Sequence, residues 1–358
     1  MEPARNPLLW PFSILFRLVT ATRNILYDKG FFSSEEFWIP VVCIGNITVG
    51  GTGKTPHAEY IISLLLKQFR VALLSRGYMR KSTGFRYVSP SSSTAESGDE
   101  PLQISRKFPD IVVAVDSNRI NGIKTILREH PETEVIILDD GFQHRKVRPG
   151  LSVVLTDYSR LMTRDKLLPY GRLRESPSQR RRAGVIVVTK TPENISDDEK
   201  NTISKELLTG EKQKVFFSAI EYSELRPVFE NADPVNLTTE GKGRSERAAI
   251  VVTGIASPDP LIKYLEKYFA EIRHLRFPDH HNFTGGDIEK IRIAFEEMAM
   301  ADKLIITTEK DAVRFREFPN IAGSLKKNLY CIPAGVRFLN DDKHEFDKLI
   351  LDYARKNK

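Results

Sequence analysis

Val41-Val42-Cys43-Ile44-Gly45-Asn46-Ile47-Thr48-Val49-Gly50-Gly51-Thr52-Gly53-Lys54-Thr55 is the stretch from which the fold of this chain can be read. A short β-branched apolar run meets a glycine-rich turn that closes on Gly-Lys-Thr. A strand delivers a phosphate-binding loop to the first turn of a helix in that order. Glycine tolerates the backbone angles that let several N–H groups close around one phosphate. Lys54 can reach the β- and γ-phosphates of a nucleotide, and the Thr55 hydroxyl can ligate Mg²⁺. The positive end of the following helix adds to the attraction. The spacing G-x-x-x-x-G-K-[ST] would need glycine at position 48, where Thr48 stands. Gly50, Gly51, Thr52, Gly53, Lys54 and Thr55 instead follow an x-G-G-x-G-K-T form, with Val49 where that form often opens on lysine.

Outward from this loop, strand-like and helix-like runs alternate from residue 40 to 217. Apolar runs at 41–44, 71–75, 111–115, 135–138, 151–156, 185–189 and 215–217 have the composition of buried parallel strands. Helical patterns at 55–67 and 118–129 fall between them. This rhythm predicts an α/β fold with a P-loop NTPase-type, doubly wound, mostly parallel sheet. The serine-rich run 89–98 reads as a flexible loop, and the polar stretch 231–247 as linker. Beyond it the rhythm resumes with a strand at 249–253, a helix near 260–270, a strand at 303–307 and a helix near 342–353. The expected division is an N-terminal helix (1–32), a P-loop domain (33–218), a linker (219–247) and a smaller C-terminal α/β domain (248–358).

At 358 residues the chain can bury a sizeable core. Two cysteines, Cys43 and Cys331, cannot build a disulfide framework, so a reducing compartment is expected. No secretory signal is expected, since a basic n-region and a small-residue cleavage site are missing. The most apolar stretch, 8–26, is interrupted by Arg17 and Arg23 and falls short of a membrane span. Within it Ser13, Arg17, Thr20 and Asn24 form one polar stripe, while Trp10, Phe12, Leu15, Phe16, Val19 and Leu26 cover much of the rest. Such a helix can lie in a membrane interface or pack on the protein's own core. The net charge is +7, and residues 160–182 carry eight cations against two anions. That local excess points to an anionic partner: a phosphorylated substrate, an acidic membrane surface or nucleic acid, unless it is a solvated loop. Little aromatic residue interleaves these cations and no recognition module is visible, so no nucleic acid is expected.

Several clusters can carry chemistry. The run 135–138 ends in Asp139-Asp140, as do strands whose carboxylate holds Mg²⁺ beside a phosphate loop; Asp116, after 111–115, is a second candidate. Gly98-Asp99-Glu100-Pro101 can supply a base for an attacking hydroxyl or simply start a helix. Asp279-His280-His281 joins carboxylate and imidazole in the second unit. Zinc there would need a third spaced ligand, and neither cysteine lies near.

Taken together, the 45–56 loop, Leu74-Ser75-Arg76-Gly77-Tyr78, Asp139-Asp140-Gly141-Phe142-Gln143-His144, Leu168-Pro169-Tyr170-Gly171-Arg172-Leu173-Arg174-Glu175 and Thr308-Glu309-Lys310-Asp311-Ala312-Val313 closely resemble the tetraacyldisaccharide 4'-kinase family. The likeness runs over nearly the whole chain. It implies an ATP-dependent lipid kinase that phosphorylates the 4'-hydroxyl of tetraacyldisaccharide 1-phosphate to give lipid IVA. It also implies peripheral docking at the cytoplasmic face of the bacterial inner membrane. By that resemblance ATP and Mg²⁺ are the cofactors, and Lys54 and Thr55 hold phosphate and metal. Asp139 and Asp140 are the acidic metal-site pair, Asp99 the base, and His280 its partner, with His281 as the competing assignment. Arg76, Gln143, His144, Arg172 and Arg174 are implied contacts for the lipid's sugar and phosphate. The family often has a smaller residue near Tyr170 and proline near Arg172. Two other classes share part of the pattern: an ATP-driven switch or partitioning ATPase, and a membrane-surface module that binds ATP only structurally.

Overall fold

The computed structural model describes residues 6–229, 235, 237, 245–318 and 321–356. Its strands are β1 (Val41–Asn46), β2 (Val71–Ser75), β3 (Arg86–Tyr87), β4 (Val112–Val115), β5 (Val135–Asp139), β6 (Leu151–Asp157), β7 (Val185–Thr189), β8 (Lys214–Tyr222), β9 (Arg226–Pro227), β10 (Ser245–Thr253), β11 (Phe269–Arg276), β12 (Lys303–Thr308), β13 (Leu329–Ile332) and β14 (Ala334–Phe338). Nine of them make one sheet in the order β14-β8-β7-β6-β1-β5-β2-β4-β3, and five make a second, β11-β10-β12-β13-β9. In the large sheet only the edge pairs, β3 with β4 and β14 with β8, are antiparallel. Strands covered by helices on both faces have no wet side, which is why β1, β2, β5 and β7 are buried at every position. The strand that ends in the phosphate loop lies between β5 and β6, with Ile44 in register with Asp139. The loop and the acidic pair therefore emerge side by side.

The helix Lys54–Leu65 follows the loop and buries His57, Ala58, Glu59, Ile61, Ile62 and Leu65. That i, i+4, i+8 stripe is what a helix packed on a sheet requires.

Sequence order misplaces the C-terminus. Residues 334–356, expected in the second unit, return to the large sheet: β14 pairs with β8, and the helix Asp342–Lys356 packs beside it. Aromatic burial draws them back. Phe338 stacks on Phe346 at 4.3 Å, and both meet Phe216 edge-on. Tyr353 reaches β1, its hydroxyl accepting from Val41 N at 3.1 Å. The expected 218/219 boundary also moves, because β8 runs on to Tyr222, and residues 226–227 already pair with β13. Of the expected linker, 230–234, 236 and 238–244 lie outside the described residues. Near 260–270 the helix ends at Leu265 and an edge strand, β11, begins at Phe269. Its half-exposed alternation lacks the continuous apolar run of a buried strand. The two chain crossings between sheets lie side by side, with Ser223 N donating to Pro333 O at 3.1 Å.

The N-terminal helix Trp10–Asp28 is inverted relative to an ordinary surface helix. Its buried residues are Ser13 and Asn24, from the polar stripe. Ser13 Oγ donates to Leu167 O at 3.0 Å and accepts from Tyr170 N at 2.9 Å. Arg145 donates to Asn24 O at 2.9 Å, and Arg23 to Gln143 O at 2.6 Å. Trp10, Phe12, Leu15 and Val19 face outward, 58%, 62%, 61% and 61% exposed. Among the described residues no helix is long and apolar enough to cross a membrane.

Candidate active site

The phosphate loop is built from backbone constraint. Gly53 has φ of 84°, a left-handed conformation that costs glycine little and other residues much, and it turns the chain into the helix beginning at Lys54. Asn46 Nδ2 donates to Thr52 Oγ1 at 2.7 Å, closing the loop on itself. His57, one turn into the helix, sets Nδ1 against Gly53 O at 2.7 Å and Nε2 against Ser218 Oγ at 3.0 Å. Burial pushes its pKa down to about 4, so this brace is a neutral imidazole. Sequence reading passed over His57, although it stands two residues after Thr55.

The acidic pair splits into two environments. Asp140, at φ 46°, lies 3.8 Å from Lys54 Nζ and 3.1 Å from Arg174 Nη1. Burial alone would raise its pKa, but Lys54 and Arg174 outweigh that and hold it below the usual carboxylate range. Asp139 is buried, accepting from Ser75 Oγ at 3.1 Å. Burial first, then the nearby Glu100 and Asp140 charges, hold its pKa well above that range despite Lys54. A buried carboxylate crowded by two others, as Asp139 is, makes a fitting place for a divalent cation. Among the described residues no group of three or more His, Cys, Asp and Glu closes a metal cage. Such a site fits Mg²⁺, which takes few protein ligands and keeps water and phosphate for the rest. Asp116, the second sequence candidate, is occupied elsewhere: it accepts from Asn118 N and Asn121 Nδ2 at the start of the helix Arg119–Glu129.

Across the cleft, the second unit reaches into the first. Asp99 opens the helix Asp99–Lys107, where an acidic first turn suits the helix dipole. It is 6% exposed and is held by two side chains through three contacts. His280 Nδ1 lies 2.9 Å from Asp99 Oδ2, Arg314 Nε donates to Oδ1 at 3.1 Å, and Arg314 Nη2 donates to Oδ2. Burial would raise Asp99's pKa; His280 and Arg314 overcome it and bring the net shift down. Lys310 Nζ sits 2.9 Å from His280 Nε2. An ammonium has only protons to give, so Nε2 accepts and Nδ1 keeps its proton for Asp99. His281 is engaged otherwise, 2.9 Å from Asp287, whose carboxylate also closes the capping box of the helix Gly285–Glu297. Thr308 and Asp311 likewise cap the helix Glu309–Glu317. That cap aims Lys310 and, one turn later, Arg314 at the same site. In the sequence the Thr308–Val313 motif assigns no role to Lys310, and Arg314 lies just past its end; the i, i+4 spacing of two cations was the available signal.

The remaining sequence candidates fall around the loop. Residues 172–174 run along it, with Val49 N donating to Arg172 O at 2.8 Å and Arg174 N to Ile47 O at 2.7 Å. The Arg172 side chain is exposed, and that of Gln143 donates to Asn46 O at 2.6 Å. His144 has its pKa pushed down to about 4, by burial and then by Arg119, Lys146, Arg23 and Arg76. Arg76 is exposed within this positive field. Much of the 160–182 charge is used internally: Arg164 pairs with Glu206, Arg181 with Asp28 and Arg182 with Glu175.

A cleft of about 450 Å³ joins these parts. Gly50 to Thr55, Asp140, Arg174, Glu100, His280 and Lys310 line its polar side. Tyr222, Ile255, Leu261, Ile332 and Ala334 line an apolar end that sequence reading did not single out. Asp139, Asp99, Arg76, Gln143, His144 and Arg172 are not on its wall.

The chain is similar to known proteins over nearly its whole length. A family model described as tetraacyldisaccharide-1-P 4'-kinase matches residues 5–355. Proteins named tetraacyldisaccharide 4'-kinase from Bacteroides thetaiotaomicron and Parabacteroides distasonis are 44% and 46% identical to the chain. The alignments cover 98% and 97% of this chain and 93% and 94% of those proteins. A crystal structure of LpxK from Aquifex aeolicus in complex with ATP superposes with a TM-score of 0.71 at 29% identity, over 96% of this chain and 98% of that one.

Proposed function

The chain belongs to the tetraacyldisaccharide-1-P 4'-kinase family, and from that premise we propose how its own residues divide the work. It transfers a phosphoryl group from ATP to the 4'-hydroxyl of tetraacyldisaccharide 1-phosphate, giving lipid IVA in lipid A biosynthesis. The loop Gly50, Gly51, Thr52, Gly53, Lys54, Thr55 cradles the phosphates, with the base and ribose toward Tyr222, Ile255 and Leu261. Thr55 with Asp139 and Asp140 would hold Mg²⁺, which when bound neutralises charge on the transferred phosphoryl group. The crowding of buried Asp139 by Glu100 and Asp140 supports that assignment. Asp99 accepts the proton of the attacking hydroxyl, and His280 aims it. In-line transfer depends more on position than on basicity, so a carboxylate of low pKa, fixed by His280 and Arg314, suits the task.

Arg76, Gln143, His144, Arg172 and Arg174 receive the sugar and phosphate of the lipid. Guanidinium forks match a phosphate monoester, and the field around His144 is positive. The outward apolar face of Trp10–Asp28, continued by Phe31, Phe32 and Trp38, docks peripherally on the cytoplasmic face of the inner membrane. The observation that carries the catalytic reading is the His280–Asp99 hydrogen bond, made between the two units beside the phosphate loop.

The test is transfer of γ-labelled phosphate from Mg·ATP to detergent-solubilised tetraacyldisaccharide 1-phosphate. Asp99→Ala should lose transfer and keep ATP binding; unchanged turnover removes Asp99 from its role. ATP hydrolysis without labelled lipid would instead favour the switch class.

A further inference from the structure

A second cleft, of about 440 Å³, also lies between the two units and shares Gln103 and Glu309 with the first. Its lining is basic. Arg106 and Lys107 come from the last turn of the helix Asp99–Lys107, Arg226 from β9, and Arg316 from the helix Glu309–Glu317. Lys107 pairs with Glu59 at 2.6 Å and Glu309 at 3.4 Å, and Glu309 also lines the space, so three arginines stand there against one surplus carboxylate. Glu317 also faces Arg106, but it is turned to Thr94, accepting from its N and Oγ1 at 2.6 Å each. Arg106 donates through Nε to Pro90 O at 3.1 Å, yet its Nη1 is shut off from water and has no hydrogen-bond partner. Arg316 Nε donates to Val228 O at 2.9 Å. Burial and then the Arg316 charge push Arg106's pKa down, a sign that like charges are held together.

Cations gathered around an orphaned buried donor are unfavourable unless an anion joins them. We propose that this cleft is a binding site for a small diphosphate-bearing anion, held by Arg106, Arg226 and Arg316. Guanidinium planes suit phosphate oxygens, and the arginines come from both sides of the interface. The site bears on the reaction through its two helices. Arg106 ends the helix that Asp99 begins, and Arg316 stands two residues beyond Arg314, which grips Asp99. An occupant would fasten these helices at one end while His280 and Arg314 join them at the other. Binding here and closure on the nucleotide must then favour each other reciprocally.

The experiment is calorimetric titration of the full chain with inorganic pyrophosphate, after the phosphate loop is filled with a non-hydrolysable Mg·ATP analogue. One saturable event is expected, without displacement of the bound analogue, and weakened at least tenfold in Arg226→Gln/Arg316→Gln. Both arginines are exposed, so the double variant should keep the parent melting temperature. If it does not, Arg226→Gln alone should still weaken binding about threefold. No event in the preloaded protein overturns the proposal. So does an event that displaces the bound analogue, or one that persists at full strength in the arginine variants.

Discussion

The helices Trp10–Asp28 and Lys54–Leu65 are both amphipathic, yet they face opposite ways. The second lays Ala58, Ile61, Ile62 and Leu65 on the sheet with no exposure at any of them. The first turns Ser13 and Asn24 inward and leaves Phe12, Leu15 and Val19 outside. The phosphate-loop helix is therefore held by apolar burial, which is non-directional and large. The N-terminal helix is moored by a few hydrogen bonds through Ser13, Arg23 and Asn24. Its apolar face stays available to a second apolar phase. A pattern of polar and apolar residues reports that two faces exist; it does not report which face meets the protein.

The contrast can be broken at several points. At the mouth of the phosphate-loop helix, Lys54→Ala should cut the rate of lipid phosphorylation about 10³-fold, or ~4 kcal/mol, the scale for removing a preorganised charge stabiliser; activity within tenfold of the parent would dissolve its assignment. Inside that helix, Ile61→Ala should cost about 3 kcal/mol in urea unfolding. Leu15→Ala in the N-terminal helix should stay within about 0.5 kcal/mol, as exposed changes do. Equal losses at the two positions would erase the distinction.

His57 sharpens it by pH. Its folded pKa of about 4 lies below the unfolded value near 6.5, so the unfolded chain binds more protons between them. The stability it contributes is complete above pH 6.5 and falls as pH drops toward 4. Between pH 7.5 and 5 the parent should lose about 2 kcal/mol more than His57→Gln. Parallel losses would mean that the imbalance sits elsewhere. At the mooring the effect is smaller than at the core: Ser13→Ala should cost about 1 kcal/mol. Phe12→Ser/Leu15→Ser/Val19→Ser should leave stability alone while reducing co-sedimentation with anionic lipid vesicles. Undiminished sedimentation would deny the outward face its docking role.

Legibility followed sequence distance. The phosphate loop could be read because its strand, turn, lysine and hydroxyl are contiguous, and its closure through Asn46 and Thr52 spans six residues. Asp139-Asp140 was readable as a pair, but the different states of its members were not. Lys54 and Arg174 compensate one, while Glu100 crowds the other. His280 and His281 are equivalent in sequence; they separate only because Asp287 engages one ring and Asp99 the other. The return of residues 334–356 to the large sheet was hidden because aromatic complementarity with Phe216 outweighs chain proximity.

Contiguous residues thus carry the element types, the phosphate loop and the candidate acids and bases, since backbone geometry and short-range hydrogen bonds act within a few positions. The inward face of Trp10–Asp28, the partner of Asp99 and the cleft shared by the two units had to wait for the folded chain. His280 and Asp99 are 181 residues apart, and a hydrogen bond at that separation exists only once two independent cores have packed and docked.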